Sequence, residues 1–96
     1  MVDLPRERIA EICRRYGVAK LSLYGSMLHG DARPDSDVDL LVEFLPQRRA
    51  SLFDLGGMLM EIRDLAGREI DLRTPEDLSR YFRAQVLREA ELLYAA

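Results

Sequence analysis

At 96 residues the chain makes one domain, spanning 1–96, with a modest core. Hydrophobic residues are 48% and charged residues 32%, the balance of an ordinary soluble domain, and a formal net charge of −3 argues against a protein that coats nucleic acid by neutralising phosphates. The lone Cys13 excludes a disulfide frame or zinc cluster within the chain; no apolar run reaches membrane-spanning length and no leader pattern opens the sequence, so a cytoplasmic protein without a membrane partner is expected.

Pro5 suits a first helical turn, where a missing N–H costs nothing. Ile9, Ile12, Cys13 and Tyr16 then recur on one helix face, and Gly17 follows as a C-cap. Cys13 lies on that apolar face and reads as core packing. Residues 20–24, KLSLY, alternate as a short strand that Gly25-Ser26 ends. Residues 27–30 suit a helical turn, and DARPDS is loop. Residues 37–44, DVDLLVEF, form the clearest strand: Val38, Leu40, Val42 and Phe44 face one side, Asp37, Asp39, Leu41 and Glu43 the other. Pro46 stops it.

Ser51, with Asp54 three residues on, reads as an N-cap close to a capping box. Leu55, Met58, Leu59, Ile62 and Leu65 form the apolar stripe of the helix that follows, and Gly67 ends it. Residues 68–73, REIDLR, form a short strand with Ile70 and Leu72 on one face and Asp71 on the other. Thr74-Pro75-Glu76-Asp77 is a helix start, with an N-cap, Pro at the first position and acids in the first turn. One helix or two short ones then carry Leu78, Tyr81, Phe82, Leu87 and Leu92. The order is helix, strand, turn, strand, helix, strand, helix, which predicts a small α/β layer structure with helices over the sheet.

Asp37 and Asp39 share a strand face, with Cα atoms about 6.5 Å apart at roughly 3.3 Å per residue. Two carboxylates that close repel unless a counter-charge lies between them. Mg²⁺ supplies one, taking carboxylate oxygens while keeping waters or phosphate oxygens. The plainer alternative is two aspartates flanking and capping a turn. Asp71 opposes Ile70 and Leu72 as Asp37 and Asp39 oppose Val38 and Leu40. If the strands are neighbours, three carboxylates share one face and suit a two-ion phosphoryl-transfer site; otherwise Asp71 is an exposed strand residue. Gly25 lets backbone approach a ligand closely, and a helical turn opening at Ser26 would offer free N–H groups and a hydroxyl to an anion. Gly30 permits a tight exit. The alternative there is an ordinary strand-to-helix turn.

Gly25-Ser26, a ten-residue spacer, Asp37-Val38-Asp39 entering an apolar strand, and Asp71 on a later strand together resemble the polymerase-beta-type nucleotidyltransferases. The runs DARPDSDVDLLVEF, REIDLRTPEDL and VLREAELLYA are similar to those of minimal nucleotidyltransferases (MNT proteins), and the resemblance covers residues 17 to 96. It implies the nucleotidyltransferase fold, a small mixed sheet of about three to four strands with helices packed on it. It implies that Asp37 and Asp39 hold Mg²⁺, as two ions, and that Asp71 helps hold metal and activates the attacking hydroxyl. Gly25 and Ser26 would contact the triphosphate of ATP. Many MNT proteins carry Arg just before the second Gly of the turn, where this chain has His29 before Gly30. His29 would contact phosphate only when protonated, which bears on nucleotide affinity and not on the metal site.

The first reading is an enzyme that moves AMP from ATP to a tyrosine of a small helical HEPN-type toxin, acting as its antitoxin. The second is an antitoxin that neutralises the same partner by binding alone, its acids a relic. A third, transfer to a small molecule or an RNA end, has the least support: 96 residues leave little room for an acceptor domain, and the charge suits RNA poorly.

Overall fold

The computed structural model describes residues 4–25, 37–47 and 50–96. Helix α1 (Arg6–Tyr16) leads into β1 (Val18–Tyr24); β2 (Val38–Phe44), α2 (Leu52–Ala66) and β3 (Ile70–Arg73) follow. A 3-10 turn (Pro75–Asp77), α3 (Arg80–Glu89) and β4 (Glu91–Ala95) complete the chain. The four strands form one mixed sheet in the order β3-β2-β1-β4. β1 pairs antiparallel with both β2 and β4, while β2 and β3 run parallel. This is the expected mixed α/β layer with helices on the sheet.

The sequence pattern explains the core. Ile9, Ile12 and Cys13 of α1 and Met58 and Ile62 of α2 pack against Leu21, Leu23, Val38, Leu40, Val42 and Ile70 of the sheet in one buried cluster. Each large side chain fully buried there contributes about 1.5–3 kcal/mol. Burial pushes the Cys13 thiol up to about 12, with Arg14 offsetting a little, so the group is a small core hydrophobe. Gly17 ends α1 with φ 70°, and its N–H reaches the Arg14 carbonyl at 3.4 Å. The box at Ser51 forms as expected: Asp54 N–H donates to Ser51 Oγ at 3.2 Å, and Ser51 N–H donates to Asp54 Oδ2 at 2.9 Å.

Two adjacent glycines of α2 have different surroundings. A Cβ built on Gly56 meets nothing within 4 Å, whereas one on Gly57 lies 2.8 Å from the Tyr16 hydroxyl. That hydroxyl donates to Glu61 Oε2 at 2.6 Å and ties α1 to α2. Gly56→Ala therefore stabilises the protein by about 1 kcal/mol, the helix-propensity difference. Gly57→Ala gains less or loses, because Tyr16 must move. Thermal unfolding of the two variants checks this, and equal shifts would contradict it.

The C-terminal third departs from expectation. Thr74 and Asp77 do form a box, with Thr74 N–H donating to Asp77 Oδ2 at 3.0 Å, and that hydrogen bond, joined by the Thr74 hydroxyl, lowers the Asp77 pKa. It supports only one 3-10 turn, because Leu78 is extended (φ −84°, ψ 145°). Ser79 then caps α3, and Arg83 ties the two pieces through the carbonyls of Pro75 (2.7 Å) and Leu78 (3.1 Å). Leu92 is not helical as expected. It lies in β4, which lines the edge of β1 that would otherwise be open. Arg6 holds the strand there through the carbonyls of Leu92 (3.0 Å) and Leu93 (3.2 Å). Tertiary pairing overrides local preference in ELLYA. Tyr81, Phe82 and Leu87 of α3 are exposed rather than packed. No helix among the described residues is long and apolar enough to cross a membrane.

Candidate functional site

The sheet turns its second face away from α1 and α2, and the acids lie there. Pairing fixes their places. Asp39 of β2 is the register partner of Tyr24 on β1 and of Asp71 on β3. Partners in register share a face, so Tyr24, Asp39 and Asp71 form one row across three strands. Asp37, two residues before Asp39 and exposed, stands at the mouth of β2. Arg73 follows Asp71 by two residues, which returns it to the same face beside Leu41. Leu41 is only 2% exposed although it faces away from the main core, so this side of the sheet is covered at its centre and open at the acids.

The electrostatics follow from this row. Burial, then the charge of Asp71 and in smaller part that of Asp37, hold the Asp39 carboxyl above its usual range; Arg73 offsets them in part. Burial, and then Asp39, likewise raise the Tyr24 phenol, which stays neutral. The Arg73 guanidinium forks onto Asp71, with Nε donating to Oδ1 at 3.2 Å and Nη2 standing 3.2 Å from Oδ2.

Gly25 ends β1 with φ 82°. The Asp39 carboxylate lies against it: an added Cβ would overlap Oδ2 and stand 3.2 Å from Cγ. The turn needs glycine both for its backbone angle and for the space that Asp39 fills. Ser26, His29, Gly30 and the expected helical turn at 27–30 lie outside the described residues. So does the loop expected at 31–36.

The donor set suits a hard divalent cation in its chemistry. All donors are carboxylate oxygens, and the Arg73 guanidinium pairs with Asp71 alone, which leaves the charges of Asp37 and Asp39 without an ion-pair partner of their own on the described part of this face. Among the described residues no three His, Cys, Asp or Glu side chains stand together as a group that could hold a metal ion, and Arg73 engages Asp71. The sequence reading missed Arg73 and Tyr24. The signal for Arg73 was its spacing of two from Asp71 on a strand. A groove of about 390 Å³ between α1 and α2, lined by Arg8, Glu11, Arg15 and Glu61, lies on the helix side of the sheet, away from the acids. Its charges are largely paired, Arg15 with Glu61 and Arg8 with Glu11.

Comparison with known proteins adds to this geometry. The sequence pattern of the family described as polymerase beta, nucleotidyltransferase matches residues 7–96. The chain is 31% identical over 85 residues to an inferred protein adenylyltransferase of Methanocaldococcus jannaschii, covering 88% of this chain and 89% of that protein. It is 34% identical over 79 residues to the protein adenylyltransferase MntA of Thermococcus cleftensis, covering 82% and 78%. A solved structure of an inferred minimal nucleotidyltransferase superposes with a TM-score of 0.74 at 38% identity, over 88% of this chain and 85% of the other. Two more distant structures share the fold. One is a toxin–antitoxin with AMP-PNP (TM-score 0.74, 18% identity, 97% and 75% covered). The other is a tri-AMPylated Shewanella oneidensis HEPN toxin in complex with MNT antitoxin (0.65, 15%, 95% and 70%).

Proposed function

The chain belongs to the polymerase-beta-type nucleotidyltransferases, in their minimal (MNT) branch, and from that membership we propose that it moves AMP from ATP to a tyrosine hydroxyl of a HEPN-type partner, acting as its antitoxin in the cytoplasm. The observation that carries the reading is the row of Asp39 and Asp71 in register on parallel strands, with the Asp39 carboxylate against the Gly25 turn. The relatives named as protein adenylyltransferases support AMP as the transferred group. The structures with AMP-PNP and with an AMPylated HEPN toxin support the substrate and the partner.

In this reading Asp37, Asp39 and Asp71 would hold Mg²⁺. When bound there, Mg²⁺ supplies the positive charge that offsets the triphosphate and the charge developing in transfer. Gly25 and Ser26 would contact the triphosphate. The acceptor oxygen forms a bond to the α-phosphorus, the bond from that phosphorus to the bridging oxygen breaks, and pyrophosphate leaves. The proton of the acceptor hydroxyl passes to Asp71. Positioning and electrostatics account for the rate. In this reading the partner presents its own tyrosine, and a net charge of −3 suits docking on a basic protein.

The test mixes the protein, Mg-ATP and a HEPN-type protein from the same genome, and weighs both chains by mass spectrometry. The partner gains one or more AMP groups, and gains none with Asp37→Asn. Neutralisation that survives Asp37→Asn with no mass change in either chain would mean that the protein acts by binding alone.

A further inference from the structure

Arg73 is the charged partner of the acids on this face, and the reading above leaves it without a task. Its guanidinium engages both oxygens of Asp71 at 3.2 Å, from a position two residues along the same strand. Asp71 is the register partner of Asp39, so without this cation two carboxylates would face each other across adjacent strands with no counter-charge. Arg73 also reaches Asp39 electrostatically, opposing the effect of Asp71 on it. Both side chains of the pair are partly open to solvent, so the contact can be exchanged.

We propose that Arg73 is a positioning residue that exchanges partners: it holds Asp71 as a counter-ion until a divalent ion takes that carboxylate, and its freed fork then binds a phosphate oxygen of the nucleotide. The inference rests on the metal site proposed above. A guanidinium and a divalent cation on one carboxylate repel each other strongly, so the two compete for Asp71. The released fork needs a planar pair of acceptors, and a nucleotide phosphate at the Gly25 turn, beside Asp39, offers them on the same face. The exchange keeps a counter-charge on Asp71 at each stage and makes metal and nucleotide bind cooperatively.

The test measures Mn²⁺ binding without nucleotide, by calorimetry, and then MgATP kinetics. Arg73→Gln tightens Mn²⁺ binding by about two- to fivefold, the worth of an ion pair partly open to solvent. In the same variant KM for MgATP rises more than kcat falls. Lys20 lies on the same sheet face in register with Glu43, farther from the acids, and Lys20→Gln controls for general charge. It leaves Mn²⁺ binding within experimental error. The tightening also vanishes when Arg73→Gln is combined with Asp71→Asn, because the contested carboxylate is gone. Equal tightening by Lys20→Gln, unchanged Mn²⁺ affinity in Arg73→Gln, or an unchanged KM would each overturn the exchange. Asp39→Asn separates the two levels: if it binds Mn²⁺ as tightly as the wild type, the metal site itself fails. If it loses Mn²⁺ while Arg73→Gln changes nothing, only the role given to Arg73 fails.

Discussion

Asp39→Asn abolishes AMP transfer, lowering the rate by about 100-fold or more, the scale of losing one preorganised electrostatic contact, and it raises the melting temperature of the nucleotide-free protein. The two effects have one cause. The Asp39 carboxyl is held above its usual range by burial first and by Asp71 second. A raised folded-state value means that the fold favours the neutral acid. The stability contributed by this residue is complete at low pH and is lost as pH rises through the raised value, so at neutral pH its charge is a cost. Asparagine keeps the shape and removes that cost, while the ion pair of Arg73 with Asp71 stays in place. The same variant flattens the dependence of stability on pH above the ordinary carboxylate range. Calorimetric melting across pH, with transfer assayed beside it, measures both. A variant that melts lower and still transfers AMP would contradict the assignment of Asp39 as a strained functional acid.

Most of the architecture was legible because the pattern is strong where the chain is half-buried. Alternation in DVDLLVEF placed Val38, Leu40 and Val42 in the core, and the stripe from Leu55 to Leu65 placed α2 over them. The same alternation put Asp37 and Asp39 on one face of their strand and Asp71 on the polar face of its own, but only pairing fixes that the strands are neighbours and that Asp39 and Asp71 stand opposite each other. A sequence read in one dimension carries no register. The final strand was illegible for a related reason. ELLYA has no strand-like alternation of its own, and it extends because β1 has an edge to fill and Arg6 reaches two of its carbonyls. Leu41 shows the limit of two-faced reasoning. Placed with the acids by period, it is nonetheless buried, since the second face is covered at its centre. Arg73 was overlooked because an Arg on a short strand reads as solvated surface until its partner is known.

Gly25→Ala provides the sharper test of the turn, because the fold contains its own control. Gly25 and Gly67 both have positive φ, 82° and 68°. Alanine at either position costs roughly 1–2 kcal/mol of backbone strain, which for a domain of this size lowers the melting temperature by about 4–16 °C. They differ in what the new Cβ meets. At Gly67 there is nothing within 4 Å, and the residue only ends α2. At Gly25 the methyl occupies the place of Asp39 Oδ2, so the carboxylate must turn out of its row with Asp71. A misplacement of about 1 Å at a reacting group costs on the order of 100-fold in rate. Gly67→Ala therefore loses stability and keeps its transfer activity at temperatures where it remains folded, whereas Gly25→Ala loses both. Gly25→Val is worse on each count, since a β-branched side chain tolerates positive φ poorly. If Gly25→Ala matched Gly67→Ala in stability and also in rate, the close approach of Asp39 to the turn would be a packing detail, and the phosphate site would have to be sought elsewhere on this face.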